Sequence, residues 1–222
     1  RLFYRKYPML GTAFMSNPPR QQVYYIENDM NFLDSPGEWF LDEDTDILYY
    51  KPRKVENLTS AITVAPNLET LVEITGERTK NTVKNIGIKG IFFAHSNFLR
   101  PSKEGFLDLQ AGQFAVKVEN RGILNANEFM LWHPNAGMQI TNASHLAIEE
   151  NVFTMMAGTG LDLTSGTNDT RVQGNVFKEI GGSGISVGKF APDSLTEIHL
   201  GYNPSDKDEI STRDTLKYNL VN

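Results

Sequence analysis

The chain has 222 residues, of which 40% are hydrophobic and 22% are charged, a composition typical of a globular protein with a substantial core. A formal net charge of −6 disfavours nucleic acids and anionic membranes as partners, and the absence of cysteine excludes a disulfide scaffold and any cysteine-built zinc site. No apolar run approaches a membrane span. Because there is no initial methionine or signal peptide and the last residues are still strand-like, we expect a piece of a longer protein.

The first recognisable element is a β-hairpin. Two strand-like runs, residues 38–41 and 47–50, flank the acidic turn 42–46. The turn imitates the start of a calcium-binding loop, but Ile47 stands where such a loop requires glycine, so we expect no calcium there. We assign residues 1–80 to an N-terminal cap or side region that contains this hairpin, and residues 81–222 to a second domain.

Short strand-like runs recur along the second domain with a constant internal spacing. An apolar residue is followed three positions later by Asn or Ile, and two positions after that by another apolar residue. Three copies lie 24 residues apart, and the first and last copies are separated from these by insertions of 12 and 20 residues. The copies are Ile88, Ile91 and Phe93; Leu124, Asn127 and Phe129; Ile148, Asn151 and Phe153; Val172, Asn175 and Phe177; and Leu216, Asn219 and Val221.

A repeat of this length, made of short β-prone runs, cannot bury its apolar side alone and requires stacked neighbours. The predicted fold is therefore all-β: a right-handed parallel β-helix over residues 81–222. Its asparagines are expected to form one column in which each side chain hydrogen-bonds its copies above and below. A β-sandwich, the competing architecture, would explain the strands but not the constant interval.

Alternation along a strand predicts a column of polar side chains on the outer wall of the solenoid. If Leu161 and Leu163 face the core, Asp162 faces outward. The same rule adds Gln139, Ser186 and Asp108 to the column. Each strand of the stacked sheet is one rung, and Asp108 is predicted two rungs from Asp162, with the two carboxylates roughly 9–10 Å apart. This is at the wide end of the range for two carboxylates that act together across a water molecule. The alternative is that these residues only keep the sheet face hydrated.

Both insertions carry polar and titratable residues, and long excursions from a regular scaffold often carry function. The second insertion contains Lys189, Glu197, His199 and Asp206, which could fold back over the polar column. Near the first, Trp132 offers a flat apolar face and His133 a ring nitrogen for contact with a sugar. The four histidines lack zinc spacing, so no metal centre is expected.

Four segments carry a family resemblance: residues 34–52, 85–93, 158–163 and 175–188. They resemble segments of bacterial right-handed parallel β-helix carbohydrate enzymes, and most closely of glycoside hydrolase family 141, whose members include an α-L-fucosidase and a xylanase. The resemblance implies catalysis by two carboxylates. One is Asp162, in the run Gly-Leu-Asp-Leu, and the other is Asp206 as first choice or Glu197 as second.

The leading functional hypothesis is a secreted, periplasmic or cell-surface bacterial glycoside hydrolase that acts on a plant or microbial polysaccharide without a cofactor. Substrate contacts are expected from the remaining polar and aromatic candidates: Asp108, Gln139, Trp132, His133, Lys189 and His199. One alternative is a polysaccharide lyase with Lys189 as the base and calcium on Asp108 or Asp162. The other is a solenoid that binds glycans without cleaving them.

Overall fold

The structure, a computed structural model, describes residues 29–78, 81–99, 135–189, 204 and 206–222, together with the strand pairing of residues 107–108, 114–117 and 129–132. These residues divide between two compact units, residues 1–64 and 65–222. The predicted boundary between residues 80 and 81 falls later than this division. The described part of the chain contains no helix with the length and hydropathy needed to cross a membrane.

Almost all regular structure in the described ranges is β. The helical segments among the described residues are two 3-10 turns, Met30–Phe32 and Lys207–Glu209. In chain order the strands are β1 (Trp39–Asp42), β2 (Ile47–Tyr50), β3 (Val72–Thr75), β4 (Val83–Lys84), β5 (Gly87–Lys89), β6 (Phe92–Ser96), β7 (Leu107–Asp108), β8 (Phe114–Lys117), β9 (Phe129–Trp132), β10 (Ala136–Thr141), β11 (Ala143–Ser144), β12 (Ala147–Glu149), β13 (Val152–Met156), β14 (Thr159–Ser165), β15 (Arg171–Gln173), β16 (Val176–Ile180), β17 (Ile185–Val187), β18 (Thr215–Lys217) and β19 (Leu220–Val221).

The first unit contains the hairpin predicted from the sequence. Strands β1 and β2 pair antiparallel, with Trp39 opposite Tyr50 and Asp42 opposite Ile47. The directly opposed rings of Phe40 and Tyr49 stack with centroids 6.3 Å apart, the kind of cross-strand aromatic pair that stabilises a short hairpin.

The second unit is a parallel β-helix, which confirms the predicted solenoid. Each coil contributes one strand to each of three parallel sheets. We call them sheet A (β3, β10, β14, β17), sheet B (β5, β12, β15, β18) and sheet C (β6, β13, β16, β19). Val172 pairs with Ile148 below it and Leu216 above it, so the predicted repeats do stack in register.

The core consists of inward side chains from all three sheets. In sheet C the rings of Phe93, Phe153 and Phe177 stack at centroid distances of 5.0 and 4.8 Å. Phe177 also approaches Gly160, where an added Cβ would lie 2.7 Å from the ring and 2.7 Å from the Gly184 carbonyl oxygen. A side chain at that position would displace the backbone or the phenylalanine stack, so the coil requires glycine there.

The coils turn at the same places because the same backbone conformation recurs in each one. Residues with positive φ, between 50° and 70°, stack in three columns. One column precedes sheet B, one lies between sheets B and C, and one interrupts sheet C. They consist of Asn85, His145, Asp169 and Arg213; of Gly90, Glu150, Gly174 and Tyr218; and of His95, Met155 and Glu179.

The predicted asparagine column exists between sheets B and C for three of its four members. The Asn151 backbone N–H donates to Asn175 Oδ1 at 2.9 Å, and the Asn175 N–H donates to Asn219 Oδ1 at 3.0 Å. Each side-chain amide also donates to a carbonyl in the sheet B strand of the coil before its own, as Asn175 Nδ2 does to Ile148 O at 2.9 Å. Every coil thereby satisfies buried polar groups of its neighbour.

The predicted coil at Leu124, Asn127 and Phe129 is wrong. Ile148 pairs directly with Ile88, and the Ile91 N–H donates to Asn151 Oδ1 although the two residues lie 60 positions apart. Phe129 instead begins β9, which pairs antiparallel with β8. The predicted first insertion and the predicted Leu124 coil are thus one long insertion between β6 and β10. Apolar spacing alone cannot distinguish such a segment from a coil, whereas backbone pairing does.

Candidate functional site

The outer face of sheet A carries the polar column predicted from strand alternation. Pairing places Gln139 beside Asp162, and Asp162 beside Ser186. The residues that flank Asp162, Leu161 and Leu163, belong to the buried core cluster, so Asp162 lies on the opposite side of the strand.

Asp162 is nevertheless fully buried, with 0% of its surface exposed. The prediction that this member of the polar column is exposed is therefore wrong. A β-bulge lies next to it, because Ile140 pairs with Leu163 and Thr141 with Ser165, which leaves Thr164 as an extra residue in β14. The Thr164 hydroxyl donates to Asp162 Oδ2 at 2.7 Å. The carboxylate is therefore held in one orientation in a site shielded from water.

The prediction that Asp108 belongs to this column is also wrong. Its strand, β7, pairs antiparallel with β8, with Asp108 opposite Phe114, and lies in the separate sheet of the first insertion. The position two rungs from Asp162 belongs to Glu73, which pairs with Gln139 in sheet A. Sequence reasoning missed Glu73 because it lies before the first recognised repeat, although Val72 and Ile74 show the required alternation.

Both insertions attach at sheet A, at opposite ends of its strands. The first joins β6 to the start of β10, and the second leaves after the end of β17 and returns before β18. The outer face of sheet A therefore lies between the two attachment points. Such a face on a rigid sheet, bounded by long connections, is a common place for a binding site.

Four charged side chains meet where the second insertion returns. Glu209 is buried, and its Oε1 accepts hydrogen bonds from Lys189 Nζ at 2.8 Å and from the Arg78 guanidinium. Arg78 also pairs with Asp206 Oδ2 at 3.2 Å. Asp206 accepts a hydrogen bond from the Asp208 backbone N–H at the start of the 3-10 turn Lys207–Glu209.

This charged group lies near one end of the β14 strand that carries Asp162. The Gly166 N–H donates to Glu209 O at 3.1 Å, and Gly166 follows Asp162 by four residues, which an extended chain spans in at most about 14 Å. Of the predicted residues, the structure thus gathers Lys189 and Asp206 at the end of sheet A and places Asp162 and Gln139 within it. Glu209 and Arg78 were missed, since no motif marks either one.

Lys189 is poorly suited to the role of a lyase base. Its side chain is only 10% exposed, and its Nζ donates to the Glu209 carboxylate. An ammonium group held by a buried carboxylate is not positioned as a free amine that accepts a substrate proton.

Four other predicted site residues have no described side chain. Glu197, His199 and His133 lie outside the described residues, and Trp132 is described only as the last residue of β9, opposite Phe114. Within the described ranges, no group of three or more His, Cys, Asp or Glu side chains could hold a metal ion.

Residues 71–196 match the family model described as "Right handed beta helix region". This match covers more than half of the chain. The chain belongs to the right-handed β-helix family. Residues 7–53 of this β-helix protein also match the model described as "GH141 insertion domain", which confirms the resemblance to glycoside hydrolase family 141 that its sequence predicts.

One solved structure supports the same assignment. A protein named "Glycoside hydrolase" is similar to this GH141-like β-helix protein with a TM-score of 0.76 and 30% sequence identity. The similarity covers 91% of this chain and 37% of that one, so the chain spans little more than a third of the length of the solved protein. No curated protein matches the sequence.

Proposed function

We propose that this β-helix protein is part of a glycoside hydrolase that cleaves a plant or microbial polysaccharide on the outer face of sheet A. The similarity to a solved glycoside hydrolase over 91% of the chain is the observation that carries the proposal. The site supports it through Asp162, a buried carboxylate oriented by Thr164 between the attachment points of two insertions.

Asp162 is one member of the catalytic pair, and an acid of the second insertion is the other, with Asp206 as first choice and Glu197 as second. One carboxylic acid protonates the departing glycosidic oxygen. The other carboxylate activates water or attacks the anomeric carbon. The hydrogen bond from the Thr164 hydroxyl holds the Asp162 carboxyl group in one orientation, which suits either of these two roles.

The substrate is a neutral glycan, and the protein acts outside the cytoplasm, in a secreted, periplasmic or cell-surface location. Gln139, half-buried beside Asp162, supplies an amide that can donate to and accept from sugar hydroxyls. Glu73 and Asp162 place two acids on the same face, which disfavours a polyuronate by charge repulsion. Acid–base catalysis by carboxylates needs no cofactor, and none is proposed.

The substitution Asp162→Asn tests the proposal. Because Asn keeps an oxygen that can accept the Thr164 hydroxyl, the variant should fold while it loses at least about a hundredfold in kcat/KM. The assay is reducing-sugar release from a panel of neutral plant and microbial polysaccharides, with the full-length protein and with melting temperatures measured in parallel.

Asp44→Asn, in the exposed turn of the hairpin, removes the same charge and should leave activity unchanged. Full turnover by the Asp162→Asn variant would refute the assignment of Asp162. Tight glycan binding by the wild-type protein without any product would instead indicate a binding solenoid.

A further inference from the structure

We infer that Glu73 binds substrate in a subsite two rungs from Asp162, and that the glycan therefore lies along the solenoid axis, across β3, β10 and β14. This inference rests on the proposed function and extends it by naming a residue that determines which chain lengths bind well.

The placement of Glu73 follows from backbone pairing. It lies beside Gln139, which lies beside Asp162, so the three residues occupy one column on successive rungs. Ile74, the residue after Glu73, belongs to the buried core cluster, and Val72, the residue before it, packs against that cluster. Alternation therefore directs the Glu73 side chain to the outer face, where it is exposed.

The spacing of the column suits a sugar chain. Neighbouring rungs lie about 4.8 Å apart, which is similar to the length that one pyranose unit adds to an extended glycan. A glycan along the column therefore places one sugar unit near each rung. With the cleaved bond at Asp162, the next unit lies near Gln139 and the following one near Glu73.

The chemistry of Glu73 suits binding better than catalysis. Its carboxylate lies roughly 9–10 Å from that of Asp162 by rung spacing, at or beyond the widest separation of an inverting pair. The Thr75 hydroxyl donates to Glu73 Oε1 at 3.2 Å, which orients the carboxylate along the sheet face. A carboxylate has acceptor sites for two neighbouring sugar hydroxyls, and such charge-assisted hydrogen bonds are stronger than neutral ones.

The test compares Glu73→Gln with wild-type protein on fragments of different length. The fragments come from partial acid hydrolysis of whichever screened polysaccharide the full-length protein cleaves, separated by size. Glu73→Gln should raise KM about tenfold for fragments long enough to reach two units beyond the cleaved bond, because it weakens hydrogen bonds to a charged group. It should leave kcat, and KM for shorter fragments, unchanged.

Glu77→Gln is the matched control. Glu77 is exposed and lies two residues after β3, outside the column, so the same loss of charge should have no effect on either constant. An equal KM for wild type and Glu73→Gln on long fragments would overturn the inference. A loss of kcat on all fragments would also overturn it, in favour of direct catalysis by Glu73.

A failure of the proposed function gives a different pattern. If no polysaccharide is cleaved, size-separated xylan fragments are titrated into the wild-type and Glu73→Gln proteins and followed by NMR. Weaker binding of only the long fragments by the variant would retain the Glu73 subsite and reject hydrolysis. Equal binding by the two proteins, or no binding by either, would reject the subsite as well.

Discussion

Asp162 illustrates the difference between the direction of a side chain and its environment. The alternation of Leu161, Asp162 and Leu163 correctly predicts which side of the strand the carboxylate occupies. It does not predict that the residue is fully buried or that a bulge at Thr164 supplies a hydroxyl to it. Both facts depend on neighbouring coils, since a bulge is defined by the pairing of two strands.

Glu56, in the N-terminal unit, permits a direct test of a single hydrogen bond. The Tyr50 hydroxyl, followed by the Arg53 backbone N–H and guanidinium, lowers the pKa of Glu56 from its ordinary value of 4.5 to about 2. Because the folded-state pKa is depressed, the contribution to stability is present above pH 4.5 and is lost as the pH falls through about 2.

Tyr50→Phe should raise the pKa of Glu56 part of the way back to 4.5. The substitution removes the hydrogen bond that lowers the pKa most, while both hydrogen bonds from Arg53 remain. Titration of the side-chain carboxyl carbon by NMR measures the shift. Tyr49→Phe, which keeps the ring stacked on Phe40, should leave the pKa unchanged. An unchanged value in Tyr50→Phe would show that Arg53 alone accounts for the low pKa.

The asparagine column links adjacent coils, so its central member should matter most. The Asn175 side chain accepts from the backbone and side-chain amides of Asn151 and donates to Ile148 O and Asn219 Oδ1. The residue is fully buried, so its removal leaves several polar groups without partners and without access to water.

Asn175→Ala should lower the free energy of unfolding by about 3–5 kcal/mol, at about 1–3 kcal/mol for each buried group left unpaired. The measurement is urea denaturation followed by circular dichroism. Asn219→Ala, at the half-buried last member of the column, should cost less because water can replace the lost bonds. An equal decrease in the free energy of unfolding for the two variants would contradict the claim that burial raises the cost of losing these hydrogen bonds.

The second insertion is joined to the solenoid through charges from distant parts of the chain. Buried Glu209 contacts Lys189 from the end of sheet A and Arg78 from the first coil, while its carbonyl accepts from Gly166 in the third coil. The first and fourth coils therefore share the buried carboxylate of Glu209, and the third coil contacts its backbone carbonyl. Removal of its charge leaves Lys189, only 10% exposed, without that counter-charge.

Glu209→Gln should lower the free energy of unfolding by about 3 kcal/mol, the cost of removing one partner from a buried ion pair. Asp206→Asn removes the same charge from a pair in which both side chains are more than 40% exposed, and should cost less than about 1 kcal/mol. Urea denaturation measures both values, and hydrogen exchange at the Gly166 amide should accelerate only in Glu209→Gln. Similar losses in the two variants would show that the Glu209 pairs do not anchor the insertion.

The sequence by itself determined the hairpin, the stacking of the coils at Ile148, Val172 and Leu216, three members of the asparagine column, and the outward side of Asp162. All of these follow from short-range alternation or from a constant interval, because a solenoid repeats the same local environment in each coil.

Only the tertiary structure decided that the Leu124 segment is not a coil, that Glu73 rather than Asp108 shares a column with Asp162, and that Glu209 joins Lys189 to Arg78. Each of these contacts joins residues separated by an insertion or by several coils. An insertion interrupts the interval on which the sequence argument depends, so the partners are selected by backbone pairing and charge contacts across space rather than by spacing along the chain.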